Sequence, residues 1–123
     1  MFECTIAAGS KVPAPHSHDG FEETIYGLEG VCTWTVDGEE HEIRPGDAIC
    51  IRRGQVHGFD NRTDAVTKFL AIATPGVFGP AYFRDVRDVV VAAAGGPPDI
   101  GAIMAVMQRH GLTPVKPAAA VTQ

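Results

Sequence analysis

The chain has few of the features that mark membrane, nucleic-acid-binding or secreted proteins. No apolar run approaches the roughly 20 residues that a membrane-spanning helix needs. The first residues, Met1 to Thr5, show neither the positive region nor the hydrophobic stretch of a secretion signal. Ten Lys and Arg stand against 15 Asp and Glu, so the net charge is −5 and no basic stripe is present. We therefore expect no membrane partner and no nucleic-acid partner.

Cysteine is also scarce. The three cysteines, Cys4, Cys32 and Cys50, are an odd number and have no CxxC spacing. This usage favours reduced thiols that act as small core residues in a cytoplasmic protein. The alternative for Cys50 is a position beside a metal site.

The composition is that of one folded domain. Apolar residues make up 45% and charged residues 20% of 123 residues, which is ordinary for a globular protein with one sizeable core. Short apolar runs bounded by turn residues predict seven strands, at 2–8, 22–28, 31–36, 39–43, 48–52, 56–59 and 65–73. The turn at Asp37-Gly38 is a strong hairpin signal. Strands at this spacing predict a sandwich or barrel.

The last third of the chain predicts helices. Pro80 is a good first residue for one helix, and the run 95–98, Gly-Gly-Pro-Pro, ends it. Asp99 is a good N-cap for a second helix, which Gly111 ends. We expect these helices to pack on an outer sheet face; the alternatives are a dimer contact or a cap over the barrel mouth. Residues 113–123 are expected to be a loose end. We expect a barrel over residues 1–79 and a helical extension, packed on the same domain, over residues 80–123.

The most informative feature is a set of three histidines and a glutamate: His16, His18, Glu23 and His57. Residues i and i+2 of a strand point to one face and lie roughly 6.5 Å apart, so His16 and His18 can reach one ion. Imidazole and carboxylate ligands suit a divalent transition metal. The alternative is a buried polar set satisfied internally, but burying four such groups without a metal is costly. We therefore predict metal ligation by these four residues.

The spacing of these residues resembles the two motifs of the cupin superfamily, G-x5-H-x-H-x3,4-E-x6-G and G-x5-P-x-G-x2-H-x3-N. The first motif is matched from His16 to Gly30, although Gly9 precedes His16 by one residue more than usual. The second runs from Gly46 to Asn61, with Arg52 where proline is usual. The resemblance implies a mainly β fold, a double-stranded β-helix or jelly roll, and a homodimer. Glu23 fits the motif spacing, while Glu22 is the alternative by strand alternation.

The resemblance extends to small cupins grouped with quercetin dioxygenase-like proteins. It implies one bound Fe, Mn, Ni, Co or Zn ion and an oxygenase acting on a small enolisable or phenolic substrate, with Glu23 as ligand and proton acceptor. Non-oxidative cupin enzymes (isomerases, lyases or decarboxylases) and non-catalytic binding proteins are the alternatives, because a fold does not determine a function. Three neutral histidines and one carboxylate leave a divalent site with a charge of about +1, which favours an anionic oxygen ligand.

The substrate pocket is assigned to Phe59, Ile25 and Arg52. Phe59 shares the face of His57 by strand alternation. Whether Arg52 or Arg53 overlooks the pocket stays open; either would make a carboxylate substrate suitable.

Several other polar and aromatic residues are expected to lie outside the chemistry. Asn61 is expected to hold a turn and Tyr26 to face away from Glu23. Trp34 is expected in the core or at a dimer interface. For His41 we expect a solvated hairpin position, and for His110 a helix C-terminus.

Overall fold

The computed structural model describes residues 1–12 and 14–115. Its elements, in chain order, are β1 (Phe2–Ile6), β2 (His16–His18), β3 (Glu22–Glu29), β4 (Cys32–Val36), β5 (Glu39–Ile43), β6 (Ala48–Ile51), β7 (His57–Asp60), β8 (Thr67–Thr74), α1 (Pro80–Ala92), α2 (Ile100–Arg109) and β9 (Leu112–Pro114). The predicted succession of strands followed by two helices is confirmed. β2 is the extended segment assumed for His16 and His18, and β9 was not expected.

The strands form two antiparallel sheets with a shared core. One sheet has the order β1-β8-β3-β6 and the other β5-β4-β7-β2-β9. Strand alternation turns one face of each sheet inward: along β8, for example, Thr67, Phe69, Ala71 and Ala73 are buried while their neighbours are only half-buried or exposed. Apolar side chains from both sheets meet in one cluster around Trp34. The predicted jelly roll is therefore the fold of the chain.

Two turns explain glycines of the sequence pattern. Asp37 and Gly38, which join β4 to β5, both have positive φ, as the predicted two-residue hairpin requires. Gly30 ends the first motif with φ of 67°, and a Cβ there would lie 2.7 Å from the carbonyl oxygen of Val66. Only glycine fits that position, because any side chain would meet the backbone that leads into β8.

The cysteines are free but differ in environment. Cys32 is buried, Cys4 is half-buried and Cys50 is exposed. The Cys50 sulfur lies 4.0 Å from a carboxylate oxygen of the exposed Glu22, on the outer face of the sheet. The expectation that all three are core residues is therefore wrong for Cys50, and so is its placement beside a metal site.

The helices begin and end where the sequence predicts. Pro80 stands in the first turn of α1. The Asp99 side chain caps α2 by accepting a hydrogen bond from the backbone N–H of Ala102 at 3.1 Å. Among the described residues, no helix is long and apolar enough to cross a membrane.

The position of the helices differs from the favoured expectation. Tyr82 of α1 and Met107 of α2 share a buried cluster with Phe21 and Ala73 of the barrel. Phe83 of α1 packs against Phe2, an inward-facing residue of β1, with the ring centroids 4.9 Å apart. The helices thus close the open end of the barrel, which was the alternative prediction, and do not lie on an outer sheet face.

The segment after α2 returns to the sheet. Leu112–Pro114 forms β9 and pairs with β2, so that His16 lies opposite Pro114 and His18 opposite Leu112. The backbone N–H of Val115 also donates to the carbonyl of Pro15 at 2.8 Å. The expected loose end is therefore wrong for residues 113–115, while residues 116–123 lie outside the described part of the chain.

Candidate metal centre

Two neighbouring strands bring the three histidines together. His16 and His18 lie on β2, and His57 is the first residue of β7, where it pairs with His16. One ligand nitrogen from each imidazole lies within 4.8 Å of the other two. All three residues are buried, with the rings of His18 and His57 centred 4.4 Å apart. The i, i+2 spacing therefore does what the sequence predicts, and strand pairing adds the third ring.

Backbone carbonyls orient two of the rings. His16 Nδ1 lies 3.0 Å from the carbonyl oxygen of Ala14, and His57 Nδ1 lies 3.0 Å from that of Gln55. A carbonyl can only accept, so each Nδ1 carries the proton and each Nε2 keeps a free lone pair. His57 Nε2 and His18 Nδ1 are buried and have no hydrogen-bond partner among the described residues. The orphaned Nε2 of His57 is costly unless something binds it, and a cation fits that need.

The environment also holds the imidazoles in the state that binds metals. Burial, followed by the charges of His57 and His16, lowers the pKa of His18 to about 2. Burial, followed by His16, lowers the pKa of His57 to about 4. Burial likewise lowers the pKa of His16. The three rings are therefore neutral at ordinary pH, as metal ligands must be.

Glu23 borders the triad. It lies on β3 and is 6% exposed, and its Oε2 is 3.8 Å from Nε2 of His18. Burial raises its pKa to about 7. The adjacent Glu22 is exposed, so strand alternation excludes that alternative. The compact cluster of ligand atoms consists of the three histidines, and the role of Glu23 as a fourth ligand stays a prediction.

A cavity of about 130 Å³ opens beside these side chains. His16, His18 and Glu23 supply its polar part. The rest of the wall is mainly aromatic and aliphatic: Phe2, Cys4, Val12, Trp34, Phe59, Phe69, Phe78, Tyr82, Phe83, Val86 and Leu112. A bound molecule in this cavity would contact the histidines and Glu23 while being enclosed by apolar side chains.

Of the three predicted pocket residues, only Phe59 lines the cavity. Ile25 is fully buried in the barrel core beneath it. β6 ends at the inward-facing Ile51, so the next residue, Arg52, points to solvent, and its backbone N–H donates to Gln55. Arg53 is exposed as well. The prediction that Ile25 and Arg52 line the pocket is therefore wrong. Arg53 does not line the pocket either.

Several wall residues were not predicted from sequence. The inward-facing positions of β1, Phe2 and Cys4, show the alternation of a half-buried strand, which was a usable signal. Burial, and then the charge of Glu23, raises the pKa of Cys4 to about 12, so this wall residue is a neutral thiol. No sequence pattern indicated that Tyr82 and Phe83 would line the cavity, because the periodicity of a helix does not say which surface the helix covers.

The remaining polar candidates have structural positions. Asn61 is 1% exposed, and its Nδ2 donates to the carbonyls of Ile6, Ala7 and Ala65. This confirms that it holds a turn. His110 is the C-cap of α2, and its Nε2 lies 2.8 Å from Oδ2 of Asp85 on α1. We expected His41 to be solvated, but it is half-buried on β5.

Tyr26 and Trp34 were both expected to lie outside the chemistry. Tyr26 is 42% exposed and faces away from Glu23, as predicted. Trp34 is a buried core residue that also forms part of the cavity wall.

The chain is similar to known proteins over its barrel. Residues 2–73 match the model of the cupin domain family. The chain is 38% identical over 74 residues to quercetin 2,3-dioxygenase of Bacillus subtilis, covering 59% of this chain and 21% of that protein. It is 27% identical over 96 residues to the tetracenomycin polyketide synthase protein TcmJ of Streptomyces glaucescens, covering 78% of this chain and 64% of the relative. The chain thus spans less than two thirds of either relative.

A solved structure shows the same fold. The polyketide cyclase RemF of Streptomyces resistomycificus superimposes with a TM-score of 0.53 at 34% identity, over 58% of this chain and 50% of that one. Since the family model covers more than half of the chain and the two sheets have the expected architecture, the chain belongs to the cupin family, with three histidines that could bind a metal.

Proposed function

We propose that the protein is a metal-dependent enzyme that acts on a small enolisable or phenolic substrate as an oxygenase. The observation that carries this proposal is the position of Glu23. Its buried carboxyl group lies beside the histidine triad on the wall of a mainly apolar cavity. A carboxylate that lies within reach of a substrate bound at the histidines is suited to accept a proton from it.

His16, His18 and His57 would hold the ion, which we expect to be Fe, Mn, Ni, Co or Zn, with Glu23 as a fourth ligand. When bound, a divalent ion supplies Lewis acidity and lowers the pKa of an oxygen acid at the site. The carbonyls of Ala14 and Gln55 keep the rings of His16 and His57 in place, so the site needs little rearrangement to accept an ion.

The chain's own groups supply the rest of the chemistry. Glu23 accepts the proton that an enol or phenol loses at its hydroxyl oxygen. The rings of Phe59 and Trp34, 5.0 Å apart, offer apolar faces to a planar substrate. The mainly apolar wall lowers the local dielectric constant, which strengthens the electrostatic interactions of the few polar groups inside.

The similarity to quercetin 2,3-dioxygenase at 38% identity supports the oxidative proposal. A second candidate is a reaction without dioxygen, such as a ring closure or isomerisation. It is favoured by the 34% identity to the polyketide cyclase RemF, over 58% of this chain. Both candidates use an enolisable substrate and the same proton acceptor.

The test is an assay of protein loaded separately with each of the five metals. Oxygen uptake and product mass are measured against a panel of catechols, cyclic enols and flavonols. An oxygenase consumes oxygen and yields a product that contains it, whereas the second candidate converts substrate with no oxygen uptake. Binding without conversion under every metal would support a ligand-binding protein instead.

The matched pair of variants for this assay is Glu23→Gln and Glu22→Gln. Loss of the proton acceptor is expected to lower kcat about 100-fold or more. Glu22 is adjacent but exposed on the outer face, so its replacement should leave kcat unchanged. Equal effects of the two variants would contradict the role of Glu23.

A further inference from the structure

The size of the cavity limits what can bind beside the histidines. Its volume is about 130 Å³. An engineered protein cavity of about 150 Å³ accommodates a single benzene molecule. The enclosed space therefore matches one six-membered ring with its oxygen substituents, and the three rings of a flavonol exceed it.

Five packed aromatic side chains, four of them on the cavity wall, oppose enlargement of the cavity. Phe83 packs on Phe2 with centroids 4.9 Å apart, and Phe78 packs on Tyr82 at 4.9 Å. Phe78 also stacks on Phe21 at 5.2 Å. Because these rings pack against each other, a larger ligand has to displace several of them, which close-packed interiors resist. Phe83 is the most accessible member of the group, at 39% exposure.

The charge of the cavity limits the substrate further. Within residues 1–12 and 14–115, no Lys or Arg lines the wall. A substrate carboxylate or phosphate held away from the histidines would be buried among aromatic side chains with no cation to pair with it, and this is costly. The negative charge of the substrate is therefore confined to the oxygen atoms that approach the histidines.

We propose, on the basis of the proposed function, that the substrate is a single-ring phenol or enol without a carboxylate or phosphate group, and that Phe83 sets the upper limit on its size. Molecules of this class are smaller than flavonols and carry no second anionic group. Phe83 acts as a specificity-determining residue because it lines the cavity and connects α1 to Phe2 of β1, so its ring occupies space that a larger ligand needs.

The test measures binding to Co(II)-loaded protein by calorimetry and by the visible spectrum of cobalt. The probes are catechol, a naphthalenediol, a flavonol and a catechol carboxylate. Catechol is expected to bind at least about tenfold more tightly than each of the other three. Phe83→Ala is expected to tighten naphthalenediol binding about tenfold or more, with little change for catechol.

Val91→Ala is the matched control, because Val91 is on the same helix, is 69% exposed and does not belong to the described wall. It should leave all four affinities unchanged. Phe83→Leu, a milder truncation, covers the case in which the alanine variant does not fold.

Each outcome decides one point. Native protein that binds the flavonol or the naphthalenediol as tightly as catechol would overturn the size limit while leaving the proposed function standing. Equal affinity for catechol and its carboxylate would overturn the limit on charge. If cobalt binds but none of the four probes does, both this inference and the proposed function fail.

Discussion

His57 is the histidine whose replacement should report most clearly on the metal. It comes from a different strand than His16 and His18, and its Nε2 is buried without a hydrogen-bond partner in the described chain. We expect His57→Ala to lose most of the metal, from about one ion per chain. It should also lose the rise in Tm that metal gives the native protein, since an ion present at about 100 Kd stabilises the native state by about 2.7 kcal/mol.

The measurements are elemental analysis and thermal unfolding with and without added metal. His41→Ala and His110→Ala serve as controls, because His41 lies on β5 and His110 pairs with Asp85, away from the triad. A similar loss of metal in all three variants would show that the site has been placed wrongly.

At the scale of elements, α2 supports the helix that covers the cavity. Val106 and Met107 of α2 are buried in the cluster that also holds Tyr82 of α1. The Asp99 side chain fixes the start of α2 by satisfying a backbone N–H group that has no partner within the helix. The geometry of the cavity wall therefore depends on a cap that lies outside the cavity.

We expect Asp99→Ala to lower the free energy of unfolding by about 1 kcal/mol, the usual value of an N-cap. Urea denaturation measures this loss. Asp88→Ala, an exposed aspartate on α1 that pairs only with its neighbour Arg87 among the described contacts, should cost much less. A larger loss for Asp88→Ala than for Asp99→Ala would contradict the assigned cap.

For the whole molecule, the buried site makes the stability of the metal-free protein depend on pH. The pKa values of His18 and His57 fall to about 2 and about 4 in the folded protein. The unfolded chain therefore takes up protons first as the pH falls below about 6.5, and stability is lost. Glu23 has the opposite effect, because its pKa of about 7 lets the folded protein take up a proton first.

The lowered pKa values of three histidines outweigh the raised pKa of one glutamate. We therefore expect the metal-free protein to lose stability on balance as the pH falls from about 7 to about 5. Glu23→Gln should make this loss steeper, and it should be more stable than the native chain above about pH 7, where Glu23 is a buried charge. Urea denaturation in the presence of EDTA across this range is the measurement. A Glu23→Gln curve parallel to that of Glu22→Gln would contradict the raised pKa.

One edge of the four-stranded sheet, formed by β1, offers a surface for a second chain. Among the described strands, β1 pairs only with β8 and forms one edge of the four-stranded sheet. An open edge carries unpaired backbone groups that a second strand can pair with. We expect a homodimer through this edge, and sedimentation at tens of micromolar should show it. A monomer under these conditions would contradict the expectation.

Local patterns were enough to predict most of the elements and the centre of the site. The i, i+2 spacing of His16 and His18 depends only on strand geometry, and Asp37-Gly38 and Asp99 act on the backbone next to them. The motif spacing favoured Glu23 over Glu22, and the strand turns Glu23 inward and Glu22 outward, because adjacent strand residues face opposite sides. These features are determined by the sequence itself, since each depends on interactions between residues close together in the chain.

The wall of the cavity was decided by tertiary structure. The sequence determines that α1 has an apolar face, but the face finds its partner only when the helix docks, so nothing local places Phe83 against Phe2. β9 is a strand only because β2 offers it a free edge. Arg52 points outward because β6 ends one residue earlier, at Ile51. Residues distant in the chain meet through long-range packing, and the periodicity of one element carries no information about which surface it will cover.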